Sequence, residues 1–278
     1  RAGRLGGGVT GMRSADPVIW AGVVSDPDSV SRTIDGLHGR GVAEIEPSRH
    51  ALAVVSALGD IDADLRRTIA IRYDELTAHS DEKYARTYLD TVDRVRRVAS
   101  DPSLTAAVAR NLFKLMAYKD EYEVARLYTD GEFLKRVGEQ FEGDWKLRFH
   151  LAPPLFARRD AAGHLIKRSY GPGMLRVFRL LAAMRRLRGT RFDPFGYTAE
   201  RRAERELIRE YRETLTAILG KLNRGNLDRA VALASLPLEI RGYGHVKEAA
   251  AEKAAARREA LLKEFSATVV PIGGTRVA

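Results

Sequence analysis

Apolar residues recur at helical spacing along most of the chain that follows Asp62. The first such stretch carries Leu65, Ile69, Tyr73 and Leu76 on one face of a predicted helix that ends near His79. The same period predicts further helices over 81–98, from Ser103 as its N-cap, within 120–137, over 174–187, from Thr198, over 227–235 and up to Phe265. Successive helices with short connections are typical of antiparallel packing. The pattern therefore predicts a mainly α fold, an antiparallel helical domain.

The helical period is interrupted between residues 144 and 170. Trp145, Leu147, Phe149 and Leu151 alternate with other residues, as on a half-buried strand. Two short segments, 156–159 and 165–168, flank the sequence DAAG, which is typical of a hairpin turn. We therefore expect a small β-hairpin insertion near residues 145–170.

The predicted division of the chain is a leader or the end of a preceding domain (1–60), a helical C-terminal domain (61–265) and a loose tail (266–278). The leader is glycine-rich and matches G-x-G-x-x-G at 6–11, but no strand precedes the match and no amphipathic helix follows it. It therefore fails the context test for a dinucleotide-binding fingerprint. A short strand is predicted over 18–24.

Composition excludes several classes of site. The 278 residues include no cysteine, which excludes disulfides, Cys-ligated zinc and iron–sulfur clusters held by thiolates of this segment. No apolar run approaches the roughly 18 residues that a membrane helix needs. We therefore expect a cytoplasmic protein without a membrane partner.

The net charge of +10 is concentrated in one segment. Residues 156–191 carry ten basic residues against a single acidic one, a net +9. The candidate docking residues of this basic cluster are Arg158, Arg159, Lys167, Arg168, Arg176, Arg179, Arg186, Arg188 and Arg191. Such a field attracts a phosphate-bearing ligand, nucleic acid or an acidic protein. The alternative is a solvated basic face whose counter-charges come from elsewhere in the fold.

The sequence also predicts the surroundings of the basic cluster. On a helical projection Arg176, Arg179 and Arg186 fall on one side and Val177, Leu181 and Met184 on the other, which predicts a surface patch. The turn that follows contains Phe192, Phe195 and Tyr197 around Pro194. Since three aromatic rings are costly to leave in water, we expect this turn to be packed against other residues.

Catalytic and metal-binding patterns are not found in the sequence. The six histidines are scattered without the i,i+4 spacing of a metal site, and His150 is interpreted as a hydrogen-bonded core residue. Glu75, Asp81, Asp120 and Glu121 are expected on helix surfaces, where acid–base catalysis lacks a partner. A second candidate anion site is the loop containing Arg241, Tyr243, His245 and Lys247, for which the alternative is a packed interdomain turn.

Four long segments in order resemble a known family. They are NLFKLMAYKDEYEVARLY from Asn111, KLRFHLAPPLFARRD from Lys146, LRGTRFDPFGYTAERRAER from Leu187 and IRGYGHVKE from Ile240. Together they resemble the C-terminal domain of bacterial indolepyruvate ferredoxin oxidoreductases, over roughly 65–264 of this chain.

The resemblance implies a parent enzyme that decarboxylates arylpyruvates on thiamine diphosphate. It passes electrons through iron–sulfur clusters to ferredoxin, with coenzyme A as acyl acceptor. The resemblance places the catalytic residues in upstream domains, so this segment is expected to bind none of these cofactors. It would serve as a structural or docking domain whose partners are those upstream domains and, at the basic cluster, ferredoxin or coenzyme A. A homo-oligomer is compatible with the sequence.

Two other classes of function remain open. A basic helical nucleic-acid-binding module would use the same arginines, although few aromatic residues lie within the cluster. A purely structural assembly domain would instead expose a broad apolar surface when isolated.

Overall fold

The computed structural model describes residues 18–22, 45–59, 61–99, 101–140, 146–151, 158–159, 165–166, 168–242 and 245–267. Over these residues the protein is mainly helical with a small amount of β-structure, which confirms the predicted fold class. The chain divides into two compact units. Unit 1 contains the described residues up to 22 together with Lys119–Arg202, and unit 2 contains Ile45–Tyr118 and the described residues from Ala203 onward.

Except for α1, which the pattern does not predict, the helices follow one another in the order that the helical period predicts. The first part of the chain forms β1 (Val18–Gly22), α1 (Arg49–Ser56), α2 (Ala63–His79), α3 (Glu82–Val98), α4 (Pro102–Met116), α5 (Glu121–Thr129) and α6 (Glu132–Gln140). The second part forms β2 (Lys146–Leu151), β3 (Arg158–Arg159), β4 (Leu165–Ile166), β5 (Arg168–Tyr170), α7 (Met174–Ala183), α8 (Ala199–Leu219), α9 (Leu227–Ser235) and α10 (His245–Ala267). Short 3-10 helices follow α7 (Met184–Leu187) and α9 (Leu236–Glu239).

Aspartate side chains set the start of several helices. Asp62 accepts hydrogen bonds from the amides of Asp64 and Leu65 at the start of α2, and Asp81 accepts one from Tyr84 at the start of α3. These caps satisfy amides that have no partner inside the helix. The predicted cap Ser103 is wrong, since Asp101 caps α4 by accepting from the Ser103 amide at 2.7 Å. The reason is Pro102, which occupies the first helical turn, where its missing N–H is not needed.

The β-structure lies in unit 1 and includes the predicted hairpin. β3 pairs antiparallel with β4, and β2 pairs antiparallel with β5. β1 confirms the predicted strand over residues 18–22 and pairs in parallel with β2. The predicted turn DAAG itself lies outside the described residues.

The core of unit 1 lies between α5, α7 and the sheet. Phe178 of α7 is stacked on Tyr128 with ring centroids 5.2 Å apart and meets Phe149 of β2 edge-on at 5.3 Å. Edge-on and offset contacts of this kind are preferred by aromatic pairs. Phe149 is completely buried, so the strand of alternating residues predicted here does place its apolar side inward.

The core of unit 2 is formed by the apolar faces of the predicted helices and by α1, a helix that the hydrophobic pattern does not predict. Ile69, Tyr73 and Leu76 of α2 are completely buried, as are Ala51 and Val55 of α1. Buried tyrosines in this unit satisfy their hydroxyls with backbone carbonyls: those of Tyr88 and Tyr211 donate to Ala109 and Ala234 at 3.1 and 2.8 Å.

None of the described helices combines the length and the apolar character needed to cross a bilayer.

Candidate functional site: a buried polar network and an exposed basic surface

The turn between α7 and α8 is organised by the carboxylate of Asp193. One oxygen accepts a hydrogen bond from the Gly189 amide at 2.8 Å. The other accepts from the Phe195 amide at 3.1 Å and from the Tyr122 hydroxyl at 3.0 Å. Asp193 is 3% exposed, so these three donors compensate its desolvation. This carboxylate therefore holds both halves of the turn and ties them to α5.

Two of the three aromatic residues of this turn do not pack inside the protein. Phe195 is buried and meets Tyr122 edge-on with ring centroids 5.4 Å apart. Phe192 and Tyr197 are 72% and 59% exposed. The expectation that the whole turn is packed is therefore wrong for these two rings. The inward direction of Asp193 and Phe195 leaves their neighbours facing solvent.

Arg188 forms a buried ion pair with Asp120. Its Nε and Nη2 atoms donate to the two carboxylate oxygens at 2.5 and 2.7 Å. The two side chains are 5% and 2% exposed, and the guanidinium lies 5.5 Å from the centroid of the Tyr122 ring. Asp120 also caps α5 by accepting from the Glu123 amide at 2.8 Å. The fork geometry supplies the bidentate contact that a buried carboxylate needs.

This ion pair corrects two expectations from the sequence. Arg188 was assigned to the docking cluster, but its burial removes it from the exposed surface. Asp120 was expected on a helix surface, and it is 3% exposed. Glu121 is also largely buried, with 16% of its side chain exposed. Sequence position alone could not detect the pair, because Arg188 and Asp120 are 68 residues apart.

Burial shifts the pKa values of the groups around this network. Desolvation raises the pKa of the Glu121 carboxyl, and the nearby Arg201 guanidinium lowers it by a smaller amount. Desolvation also lowers the pKa of the Lys119 ammonium group. For Tyr122, burial and the hydrogen bond to Asp193 both raise the pKa of the hydroxyl. Each shift disfavours the charged form of a group withdrawn from water.

The exposed part of the basic cluster contains five described arginines. These are Arg168, Arg176, Arg179, Arg186 and Arg191. Among the residues that the structure describes, none of the five forms an ion pair. Their positive charges are therefore not compensated by described neighbours, and unit 1 presents them to solvent.

Helix α7, which carries Arg176 and Arg179, also exposes apolar side chains. Val177 is 45% and Leu180 is 62% exposed, whereas Phe178 is buried in the core of unit 1. The prediction that Val177 lies on the apolar face of this helix is therefore wrong. The outer face of α7 mixes arginine with aliphatic residues.

Several predicted site residues cannot be placed. Lys167 and Tyr243 lie outside the described residues, and only the backbone is described for Arg158 and Arg159 in β3 and for His245 at the start of α10. The side chain of His150 in β2 is likewise not described, so its predicted hydrogen bond is untested.

In the second candidate site, around the loop before α10, the basic side chains are bonded to residues of unit 2. Lys247 donates to both carboxylate oxygens of Glu204 at 2.6 and 2.7 Å. Arg241 donates to the Leu238 carbonyl at 2.9 Å. Gly242 has φ +97°, a conformation that favours glycine. Lys247 is thus largely neutralised by an acid rather than presented to a ligand.

A further lysine lies beneath this loop. Lys114 donates to the carbonyls of Pro237 and Ile240 at 2.6 and 3.2 Å. Burial, with smaller contributions from Arg241 and Lys247, lowers the pKa of its ammonium group from the usual 10.5 to about 8. Sequence reasoning missed this residue, whose partners follow it by more than 120 positions.

Two concave regions lie on unit 2. One, of about 600 Å³, follows an open face of α8, where Arg209 is paired with Glu213. The other, of about 40 Å³, is apolar and holds the Arg258–Glu210 ion pair at its edge. Neither brings together unpaired acidic residues for acid–base chemistry. Over the described residues, no group of three or more side chains is arranged to hold a metal ion.

Comparisons with known proteins place the chain in a family. No curated protein and no solved structure matches it. A family model described as a family of unknown function (DUF6537) matches residues 65–260. The match covers most of the helices of unit 2, but not α1, and it covers the buried network and the basic surface. Because it extends over more than half of the sequence, the chain belongs to the family DUF6537.

Proposed function

We propose that this chain is a docking domain of a larger cytoplasmic oxidoreductase and has no catalytic site of its own. The resemblance noted above suggests the parent activity: oxidative decarboxylation of arylpyruvates to acyl-CoA, with thiamine diphosphate, iron–sulfur clusters and ferredoxin. In this proposal the basic surface of unit 1 receives ferredoxin, an acidic electron carrier. The upstream catalytic domains of the same protein would be its other partners.

The observation that carries the proposal is the unpaired charge of α7 and its flanks. Arg176, Arg179 and Arg186 are exposed and form no ion pair with a described residue. Arginines that stabilise a fold are normally hydrogen-bonded to acids or carbonyls, as Arg188 is. Exposed charge of one sign instead speeds the encounter with an oppositely charged partner, and this effect declines as salt screens the field.

The test measures association of ferredoxin with the chain by stopped-flow fluorescence at several salt concentrations. The variant R176E/R179E/R186E should associate at least about tenfold more slowly at low salt, and the difference should shrink near physiological salt. A matched control, K221E/R224E/K253E, changes the net charge equally but at exposed positions of unit 2 that form no ion pair with a described residue. Equal rates for the two variants would overturn the proposed location.

Coenzyme A is the alternative partner at the same surface, since its phosphates are anionic. In that case R176E/R179E/R186E loses affinity for coenzyme A in equilibrium titration, while its association with ferredoxin stays unchanged. If R176E/R179E/R186E and the control have the same ferredoxin association rate and the same affinity for coenzyme A, the basic surface is a solvated face and the docking proposal fails.

A nucleic-acid-binding module is a second candidate because of one observation. Phe192 and Tyr197 expose their aromatic rings next to Arg191, although the sequence predicts that the turn containing them is packed. Exposed rings beside arginine can stack on unpaired bases. Binding of a single-stranded oligonucleotide whose affinity falls steeply with salt and depends on Phe192 would favour this candidate.

A further inference from the structure

The aromatic turn, residues 189–197, exposes two large rings on a rigid support. Phe192 and Tyr197 are 72% and 59% exposed. The Tyr197 hydroxyl donates to the Arg191 carbonyl at 2.9 Å, so the Tyr197 ring lies beside the backbone that immediately precedes Phe192. The two rings and the Arg191 side chain therefore share one part of the surface.

The backbone of this turn is fixed before any partner arrives. Besides the contacts of Asp193, the Thr190 hydroxyl donates to the Leu187 carbonyl at 2.7 Å and accepts from the Phe192 amide at 3.2 Å. A Cβ at Gly196 would lie 2.7 Å from Oδ2 of Asp193, so the turn closes tightly on this carboxylate. Fixing the rings in advance lowers the entropy that a partner must remove on binding.

We propose that Phe192 and Tyr197 are the apolar anchor with which unit 1 recognises an acidic polypeptide surface. This inference rests on the proposed docking function and adds the residues that confer affinity. Aromatic side chains and arginine dominate the energetics of protein interfaces, and they cluster at the centre of the contact. The rings would be buried by apolar side chains of the partner, while the arginines meet its carboxylates.

Two observations favour an acidic polypeptide over nucleic acid as the occupant. Val177 and Leu180 on the outer face of α7 are exposed aliphatic residues, which pack on apolar side chains but offer no ring for base stacking. The exposed arginines Arg168, Arg176, Arg179, Arg186 and Arg191 form no ion pair with a described residue. An apolar and anionic partner complements both features.

The experiment uses two labelled peptides as probes, measured by fluorescence anisotropy with the full chain. Both are glutamate-rich and of equal length and charge, but one carries two tryptophans where the other carries serine. The wild-type chain should bind the tryptophan peptide more tightly. The variant F192S/Y197S should bind that peptide about tenfold more weakly and the serine peptide as the wild type does. The matched control L52S/V98S removes exposed apolar side chains from unit 2 and should change neither affinity.

The outcomes separate this inference from the proposed function. The variant R176E/R179E/R186E should weaken both peptides, mainly at low salt. If F192S/Y197S binds both peptides like the wild type, the anchor is wrong while basic docking stands. If the wild-type chain binds neither peptide at low salt, docking of acidic partners fails and the anchor fails with it. A single-stranded oligonucleotide that binds more tightly than the tryptophan peptide, and does so through Phe192, would overturn the inference in favour of nucleic acid.

Discussion

Arg209 and Arg258 of unit 2 have different surroundings from the exposed arginines of α7 in unit 1. In unit 2 the exposed Arg209 is bonded to Glu206 and Glu213 on its own helix, and Arg258 of α10 donates to Glu210 of α8 at 2.6 Å. In unit 1 the arginines on the outer face of α7 have no acidic partner among the described residues. These two arginines are thus paired with acids of the same helix or of a packed neighbour. The α7 arginines have no such pairing among the described residues, which is why we propose a partner for them.

Arg188 shows the same distinction within unit 1. It follows α7 closely in the chain and belongs to the same basic segment, but it is buried against Asp120. A positive residue in a basic segment can therefore be either part of the fold or part of a surface. Only its tertiary contacts decide which, and the difference can be measured as stability.

The largest expected effect comes from breaking the buried ion pair. Arg188→Met keeps much of the side-chain volume but leaves the Asp120 carboxylate buried without its counter-charge. We expect the free energy of unfolding to fall by about 3–5 kcal/mol. Urea denaturation followed by circular dichroism measures this loss.

A double variant separates charge from packing at this position. D120N/R188M removes both charges and retains a side-chain oxygen at the cap of α5. It should be clearly more stable than R188M alone, because no unpaired charge is then buried. If the two variants are equally unstable, the contact serves packing rather than charge compensation.

A smaller effect is expected at Lys114, where a cation of unit 2 has carbonyl rather than carboxylate partners. Folding lowers the pKa of the Lys114 ammonium group from 10.5 to about 8. Below pH 8, Lys114 carries its proton in both the folded and the unfolded state. Between the two pKa values only the unfolded state carries it. Stability should therefore rise with pH through this window, by about 1 kcal/mol once the partial solvation of the side chain is considered.

The variant Lys114→Met should lack this rise when urea denaturation is compared between pH 7 and 9.5. Loss of the bonds to Pro237 and Ile240 shifts its stability by a constant amount, so the slope with pH is the diagnostic quantity. Lys253→Met, at an exposed position of the same unit, is the control and should follow the wild type. Parallel curves for the wild type and the Lys114 variant would show that Lys114 does not titrate in this range.

The smallest effect on stability is expected for the exposed arginines of α7 and of the 3-10 helix that follows it. R176E/R179E/R186E should change the free energy of unfolding by no more than about 0.5 kcal/mol, because no described ion pair is lost. Thermal unfolding of this variant beside Arg258→Glu tests the comparison directly. The latter places a second carboxylate against Glu210 and should be the less stable of the two. The opposite order would mean that the α7 arginines stabilise the fold.

Local chemistry made most helix boundaries predictable. α9 spans Leu227–Ser235, as predicted, and α2 begins directly after its cap Asp62. These features depend on residues within one or two turns, whose spacing and capping groups can be read from the sequence. The cap of α4 was assigned two residues too late because the role of Pro102 in the first turn was not considered.

The candidate site was less predictable because its contacts join distant parts of the chain. The basic cluster was visible as a run of charges, but not which of its arginines are exposed. The Tyr122–Asp193 bond spans 71 residues and determines which aromatic residues of the turn point inward. The sequence predicted only that the turn is packed against other residues, because three aromatic rings are costly to leave in water. Which rings point inward depends on the direction of Asp193, which the sequence does not show.

The sequence by itself determined the mainly helical fold, the positions of the hairpin and most helices, and the location of the basic segment. Each depends on periodicity, caps or net charge over a few turns of the chain. Tertiary structure alone decided that Arg188 and Asp120 are buried together, that Lys114 meets the carbonyls of Pro237 and Ile240, and that Phe192 and Tyr197 remain exposed. Burial and pairing across many residues are properties of packing, and no local pattern encodes them.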